Sequence, residues 1–166
     1  MHVGGLRTEA RELRVGYWLD ADGKAMDTPL RLADLGEGYK ILFCFQHWCP
    51  GCHSHGFPAL QFLHRQLAER GVGFAVIQTV FEGAEVNTTE QLRVNQQRYG
   101  LKIPFGQDEP PAGARYPTFM EDYRSGGTPW FTVIDPEGNV VHADFRLDPQ
   151  RFLAALGADD VELKRA

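Results

Sequence analysis

The chain has 166 residues, of which 43% are hydrophobic and 11% aromatic, and a net charge of −5. That length suits one domain with a proper core, and the composition excludes a disordered or fibrous protein. Lysine and arginine are scattered and no apolar run approaches the roughly 18 residues of a membrane span, so neither a nucleic-acid nor a membrane partner is expected.

The chain starts without the charged and apolar regions of a secretory signal, which, taken as complete, sets the expectation of a cytoplasmic protein. Residues 1–14 read as an N-terminal segment free to flex, 15–158 as the domain and 159–166 as a tail. Val15 to Leu19 reads as a short β lead, followed by a turn at Asp20-Ala21-Asp22-Gly23 and a lead-in from Leu30 to Leu35. Lys40 to Gln46 is a nearly unbroken apolar run, the pattern of a central strand buried on both faces. From Cys49 to about Arg70 the period becomes helical, with Phe57, Leu60, Leu63 and Leu67 on one face and Pro58 inside the helix as an expected kink.

Gly71-Val72-Gly73 stops that helix, and Phe74 to Phe81 is a second buried strand. Thr88 with Gln91 three residues on forms a helix start in the manner of a capping box, and the helix ends near Tyr99-Gly100. Residues 104–115 are rich in Pro and Gly and read as a loop. Tyr116 to Arg124 reads as a short helix ended by Ser125-Gly126-Gly127. Trp130 to Ile134 and Asn139 to Phe145 make a hairpin around Asp135-Pro136-Glu137-Gly138. The last helix has Asp148 as cap, Pro149 in its first turn and Gly157 beyond its end. Alternating strands and helices imply an α/β domain with parallel pairing in the first half, and the late hairpin adds antiparallel strands.

Trp48-Cys49-Pro50-Gly51-Cys52 sits at the junction of the first strand and first helix. Unpaired N–H groups and the helix dipole at such a junction stabilise a thiolate on Cys49. Cys52 is one turn along, placed to attack a mixed disulfide made by Cys49. With three cysteines in all, a disulfide scaffold is excluded, and a CxxC pair in a reducing compartment reads as catalytic or metal-binding. Trp48 reads as an exposed platform for substrate, Cys44 as a small buried packing residue, and His53 and His64 as solvated surface histidines.

These motifs resemble a known group. Trp48-Cys49-Pro50-Gly51-Cys52 is similar to W-C-x-x-C, and Gly127-Thr128-Pro129-Trp130-Phe131-Thr132-Val133-Ile134-Asp135 through Gly138 to G-x-P-x-x-F-x-I-D-x-x-G, of the TlpA/ResA-like and AhpC/TSA redoxins of the thioredoxin-like superfamily. Trp18-Leu19-Asp20 and Leu32-Ala33-Asp34-Leu35 resemble the group's N-terminal hairpin and lead-in, so the likeness runs over about residues 15–156. It implies a thioredoxin-like fold: a central mixed sheet flanked by helices, with an N-terminal β extension and a helical insertion before a cis-proline loop. It also implies that Thr128–Pro129 is cis and lies opposite the cysteines, leaving the Thr128 backbone free to pair with an extended substrate. Trp130 would line the substrate groove or pack on the core.

The chain departs from the group's pattern in three places. Phe43 stands where thioredoxin carries an acid, and His55 where TlpA/ResA-like proteins often do, which makes His55 a candidate proton partner for Cys52. Pro58 comes one residue later than in the family. The peroxiredoxin signature P-x-x-x-T/S-x-x-C would need Pro and Thr or Ser at positions held by Leu42 and Gln46.

The reading is therefore a thiol–disulfide oxidoreductase with Cys49 as nucleophile and Cys52 as resolving thiol, needing no cofactor and no dedicated metal. Its substrate is a disulfide-containing protein or a small-molecule thiol compound, and its electron donor the thioredoxin or glutathione system. One alternative is a peroxiredoxin-like antioxidant enzyme. Another is a non-catalytic redox-sensing or metal-binding module built on the same cysteines with His47, His53 and His55. Cys49 to His53 also fits the C-x-x-C-H haem-attachment pattern, which the missing export signal and the strand–helix setting disfavour.

Overall fold

A computed structural model describes residues 8–157; the expected tail at 159–166 lies outside the described residues. Seven strands form one mixed sheet: β1 (Thr8–Glu9), β2 (Tyr17–Leu19), β3 (Lys40–Phe45), β4 (Gly73–Thr79), β5 (Phe105–Asp108), β6 (Trp130–Ile134) and β7 (Asn139–Asp144). Their spatial order is β1-β7-β6-β3-β4-β5-β2. β3, β4 and β5 run parallel, while β6, β7, β1 and β2 join antiparallel. Four helices follow: α1 (Phe57–Leu67), α2 (Thr89–Arg98), α3 (Thr118–Tyr123) and α4 (Pro149–Gly157).

All six residues of β3 are buried because both faces of the sheet are covered. On one face Ile41, Phe43 and Phe45 meet Leu60, Leu63 and Leu67 of α1, Leu92 of α2, and Phe152 and Leu156 of α4. On the other, Leu42 and Cys44 meet Trp18, Leu30 and Phe119. Each such side chain contributes about 1.5–3 kcal/mol on burial. Among the described residues no helix is long and apolar enough to cross a membrane.

Three expectations need correction. Residues 1–7 of the expected flexible segment lie outside the described residues, but from residue 8 on the chain is tied to the sheet, since Thr8 and Glu9 pair with Val140 and Asn139. It is held further by Arg14, which bonds Asp122 of α3 at 2.7 Å, and by the Tyr123 hydroxyl, which donates to the Arg11 carbonyl. Second, the loop expected over 104–115 contains β5. Gly106 and Gln107 hid this strand, yet the glycine is required: a Cβ there would lie 2.8 Å from the Trp18 ring. Third, the helix that holds Pro58 is not a regular α-helix. The chain is helical from Pro50, widens into a π turn over Cys52–Gly56, and resumes as α1 with Pro58 as its second residue. The Phe57 N–H reaches back five residues to the Cys52 carbonyl. The π turn thus absorbs the one-residue delay of the proline seen in the sequence.

Candidate active site

β3 ends at Phe45, and the chain turns through Gln46, His47 and Trp48 before the helix begins. The Cys49 N–H closes this turn on the Gln46 carbonyl at 3.1 Å. Cys49 then caps the helix: its sulfur accepts the Cys52 N–H at 3.3 Å, with Pro50 in the first position and Cys52 in the third. Cys44, Cys49 and Cys52 are free thiols. Cys49 is 5% exposed and Cys52 fully buried, while the neighbouring Trp48 is 46% exposed.

The hydrogen bond from the Cys52 thiol lowers the Cys49 pKa to about 6, against the opposing effect of burial. The Thr128 side chain, the Cys52 backbone N–H and the charge of His53 add to this lowering. Burial and the neighbouring Cys49 push the Cys52 thiol the other way, well up. One thiol of the pair is therefore ionised near neutral pH and the other stays protonated. That asymmetry suits an attacking sulfur beside a resolving one.

The Thr128–Pro129 peptide is cis. Pro129 packs directly on the redox helix: a Cβ on Gly51 would lie 3.4 Å from Pro129 Cδ, and one on Gly56 would lie 3.2 Å from Pro129 Cβ. Gly56 also makes room for Phe43, whose Cζ would be 2.5 Å from such a Cβ. Phe43 therefore fills the place beneath the helix with a ring, which packs among Phe45, Phe57 and Phe131. Trp130 turns to the other face of the sheet, edge-on to Phe145 at 4.9 Å. A groove of about 540 Å³ runs beside Pro129, lined by Gly51, Gly56, Phe131, Phe145 and Leu147. His55, exposed on the helix, lines it together with Arg146.

His53 is not a solvated surface residue. Its ring is half-buried beside the stacked Tyr99 and Phe57 rings, with Nε2 2.6 Å from the His47 carbonyl and Nδ1 bonded to the Tyr99 hydroxyl. His64 likewise packs edge-on against Phe74, at 5.2 Å. The turn before Cys49 has further partners that the sequence did not reveal. Asn87 accepts the His47 N–H at 2.7 Å and donates to the Gln46 side chain at 3.3 Å, and Asn95 bonds His47 Nδ1 at 3.0 Å. Asn87 lies 40 residues from His47 in sequence and Asn95 48, and neither belongs to a motif, so nothing local marked them. Among the described residues no three His, Cys, Asp or Glu side chains gather as a metal group.

The AhpC/TSA family model matches residues 12–143. Among solved structures, a thioredoxin-like superfamily protein is 32% identical, with 95% of this chain and 96% of that one covered and a TM-score of 0.77. A thiol-disulfide isomerase from Corynebacterium glutamicum is also 32% identical, with 90% and 95% covered and a TM-score of 0.74. A thiol:disulfide interchange protein of the thioredoxin family from Chlorobium tepidum, 21% identical with 93% and 96% covered and a TM-score of 0.65, shares the fold. No curated protein compared with the chain matches it.

Proposed function

The chain belongs to the AhpC/TSA family, and on that premise we propose that it is a thiol–disulfide oxidoreductase with Cys49 as nucleophile and Cys52 as resolving thiol. The observation that carries this reading is the polarised pair: a Cys49 sulfur that caps the helix and is ionised above about pH 6, beside a buried, protonated Cys52. The Cys49 thiolate attacks a substrate disulfide, forming a mixed disulfide and releasing one substrate thiolate, which takes up a proton. Cys52 then loses its proton and attacks the Cys49 sulfur. The second substrate thiolate leaves, and the protein is left with a Cys49–Cys52 disulfide, oxidised by two electrons. A dithiol donor of the thioredoxin or glutathione class returns it to the reduced form.

The cis Thr128–Pro129 loop faces this pair, and the apolar groove beside Pro129 offers a seat for the segment flanking a substrate cysteine. A disulfide-containing protein or peptide is therefore the substrate class. The named activity of the thiol-disulfide isomerase relative supports the same chemistry. At the peroxiredoxin hydroxyl position the chain has Gln46, which is fully buried and carries no hydroxyl.

The test is reduction of insulin by the reduced protein, run beside peroxide reduction. Cys49→Ser abolishes insulin turnover, and Cys52→Ser accumulates a mixed disulfide on Cys49. Turnover retained in Cys49→Ser overturns the assignment, and peroxide reduction without insulin reduction moves the protein to the peroxidase reading.

A further inference from the structure

We propose that His53 is the positioning residue of the nucleophile: it clamps the His47 carbonyl and so fixes the turn that presents Cys49. The proposal rests on the reading of Cys49 as the attacking thiol. A carbonyl only accepts, so His53 Nε2 carries the hydrogen in the 2.6 Å contact with the His47 carbonyl. In the neutral ring Nδ1 is then an acceptor, and the Tyr99 hydroxyl donates to it. When the ring is protonated, Nδ1–H donates to the Tyr99 oxygen instead, so the clamp on His47 survives in both charge states.

The clamp acts on a short, fully held segment. His47 is gripped at its N–H by Asn87, at its ring by Asn95 and at its carbonyl by His53, and two residues on the Cys49 N–H closes on Gln46. The sulfur that accepts the Cys52 N–H hangs from the end of this turn. Releasing the carbonyl lets the turn rotate, and the hydrogen bonds that stabilise the Cys49 thiolate loosen with it. The titratable and charged groups around His53 are Cys49, Cys52 and His55 on its own helix, His47 in the turn, and Tyr99 with Arg98 at the end of α2.

The experiment is the rate of Cys49 alkylation by iodoacetamide as a function of pH, measured on the reduced full chain, together with thermal melting. His53→Ala slows alkylation below neutral pH by about tenfold, the effect of one unit in the thiol's pKa. His53→Gln, whose amide replaces the Nε2–H donor without a charge, recovers most of that rate. Tyr99→Phe keeps the ring stack on Phe57 but frees Nδ1, and shifts the profile in the same direction by less. A His53→Ala profile identical to wild type with only a lower Tm overturns the clamp. So does a Gln variant as slow as Ala, or a shift produced by His55→Gln and not by His53→Ala. If the Ala variant does not fold, the Gln and Tyr99→Phe variants decide: a wild-type profile in Tyr99→Phe with a shifted one in Gln overturns it. Insulin turnover by wild type reports on the underlying reading separately, because alkylation needs no disulfide substrate.

Discussion

Phe43 and Gly56 are complementary side by side. The ring occupies the space that a side chain at 56 would need, with 2.5 Å between Phe43 Cζ and a Cβ built on the glycine. Neither can change alone. Gly56→Ala forces Phe43 or Pro129 to move and costs about 1–3 kcal/mol by overpacking. In urea denaturation the midpoint falls with the slope unchanged. Phe43→Leu shortens the ring and opens a cavity of its own, so it also destabilises. The double variant loses less than the sum of the two, because the Leu leaves room for the new methyl. Strict additivity would show that the two positions do not compete for one space. The same pair explains how a ring is tolerated where thioredoxin carries an acid: the glycine makes the room for it.

At the scale of elements, α3 is fixed from outside. It has only six residues and no side-chain cap of its own, since Pro117 precedes it. Asp108, at the end of β5 and 2% exposed, supplies the acceptor. Its carboxylate takes the Thr118 N–H at 3.1 Å, the Thr118 hydroxyl at 2.7 Å and the Phe119 N–H at 2.7 Å. Asp108→Asn turns one oxygen into a donor facing another donor and leaves a buried group unpaired, at a cost of about 1–3 kcal/mol. Hydrogen exchange at Thr118 and Phe119 rises more than elsewhere, and unchanged protection there would refute the role. This cap was not legible in the sequence, and neither was β5, whose four residues include a glycine, a glutamine and an aspartate. Long, periodic or punctuated elements were legible: β3 by its apolar run, α2 by Thr88, whose hydroxyl accepts the Gln91 N–H at 3.2 Å, and α4 by Asp148, which accepts from Gln150 and Arg151. The two cysteines could be placed because a local motif sets their spacing. His53 could not, because its role depends on Tyr99, 46 residues away.

Across the whole molecule, the redox state and the stability of the fold are linked through the Cys49 thiolate. The pKa of Cys49 is about 6 in the folded reduced protein and 9.0 for an ordinary thiol. Between those values the folded reduced chain binds fewer protons than the unfolded one, so stability rises with pH across that window. The contribution is complete above pH 9.0 and disappears as pH falls through about 6. The oxidised protein has no such titration, so the stability of the reduced state, read from urea denaturation in the two states, rises relative to that of the oxidised state over the same range. The reduction potential carries the same signature. Below about pH 6 two electrons are taken up with two protons, and the potential falls by about 59 mV per pH unit. Above it Cys49 stays a thiolate while Cys52 keeps its proton, so one proton accompanies two electrons and the slope halves to about 30 mV per unit. Equilibration against a glutathione or dithiol buffer series reads the break directly. A single slope from pH 5 to pH 8 would show that the polarised pair does not set the chemistry of this protein.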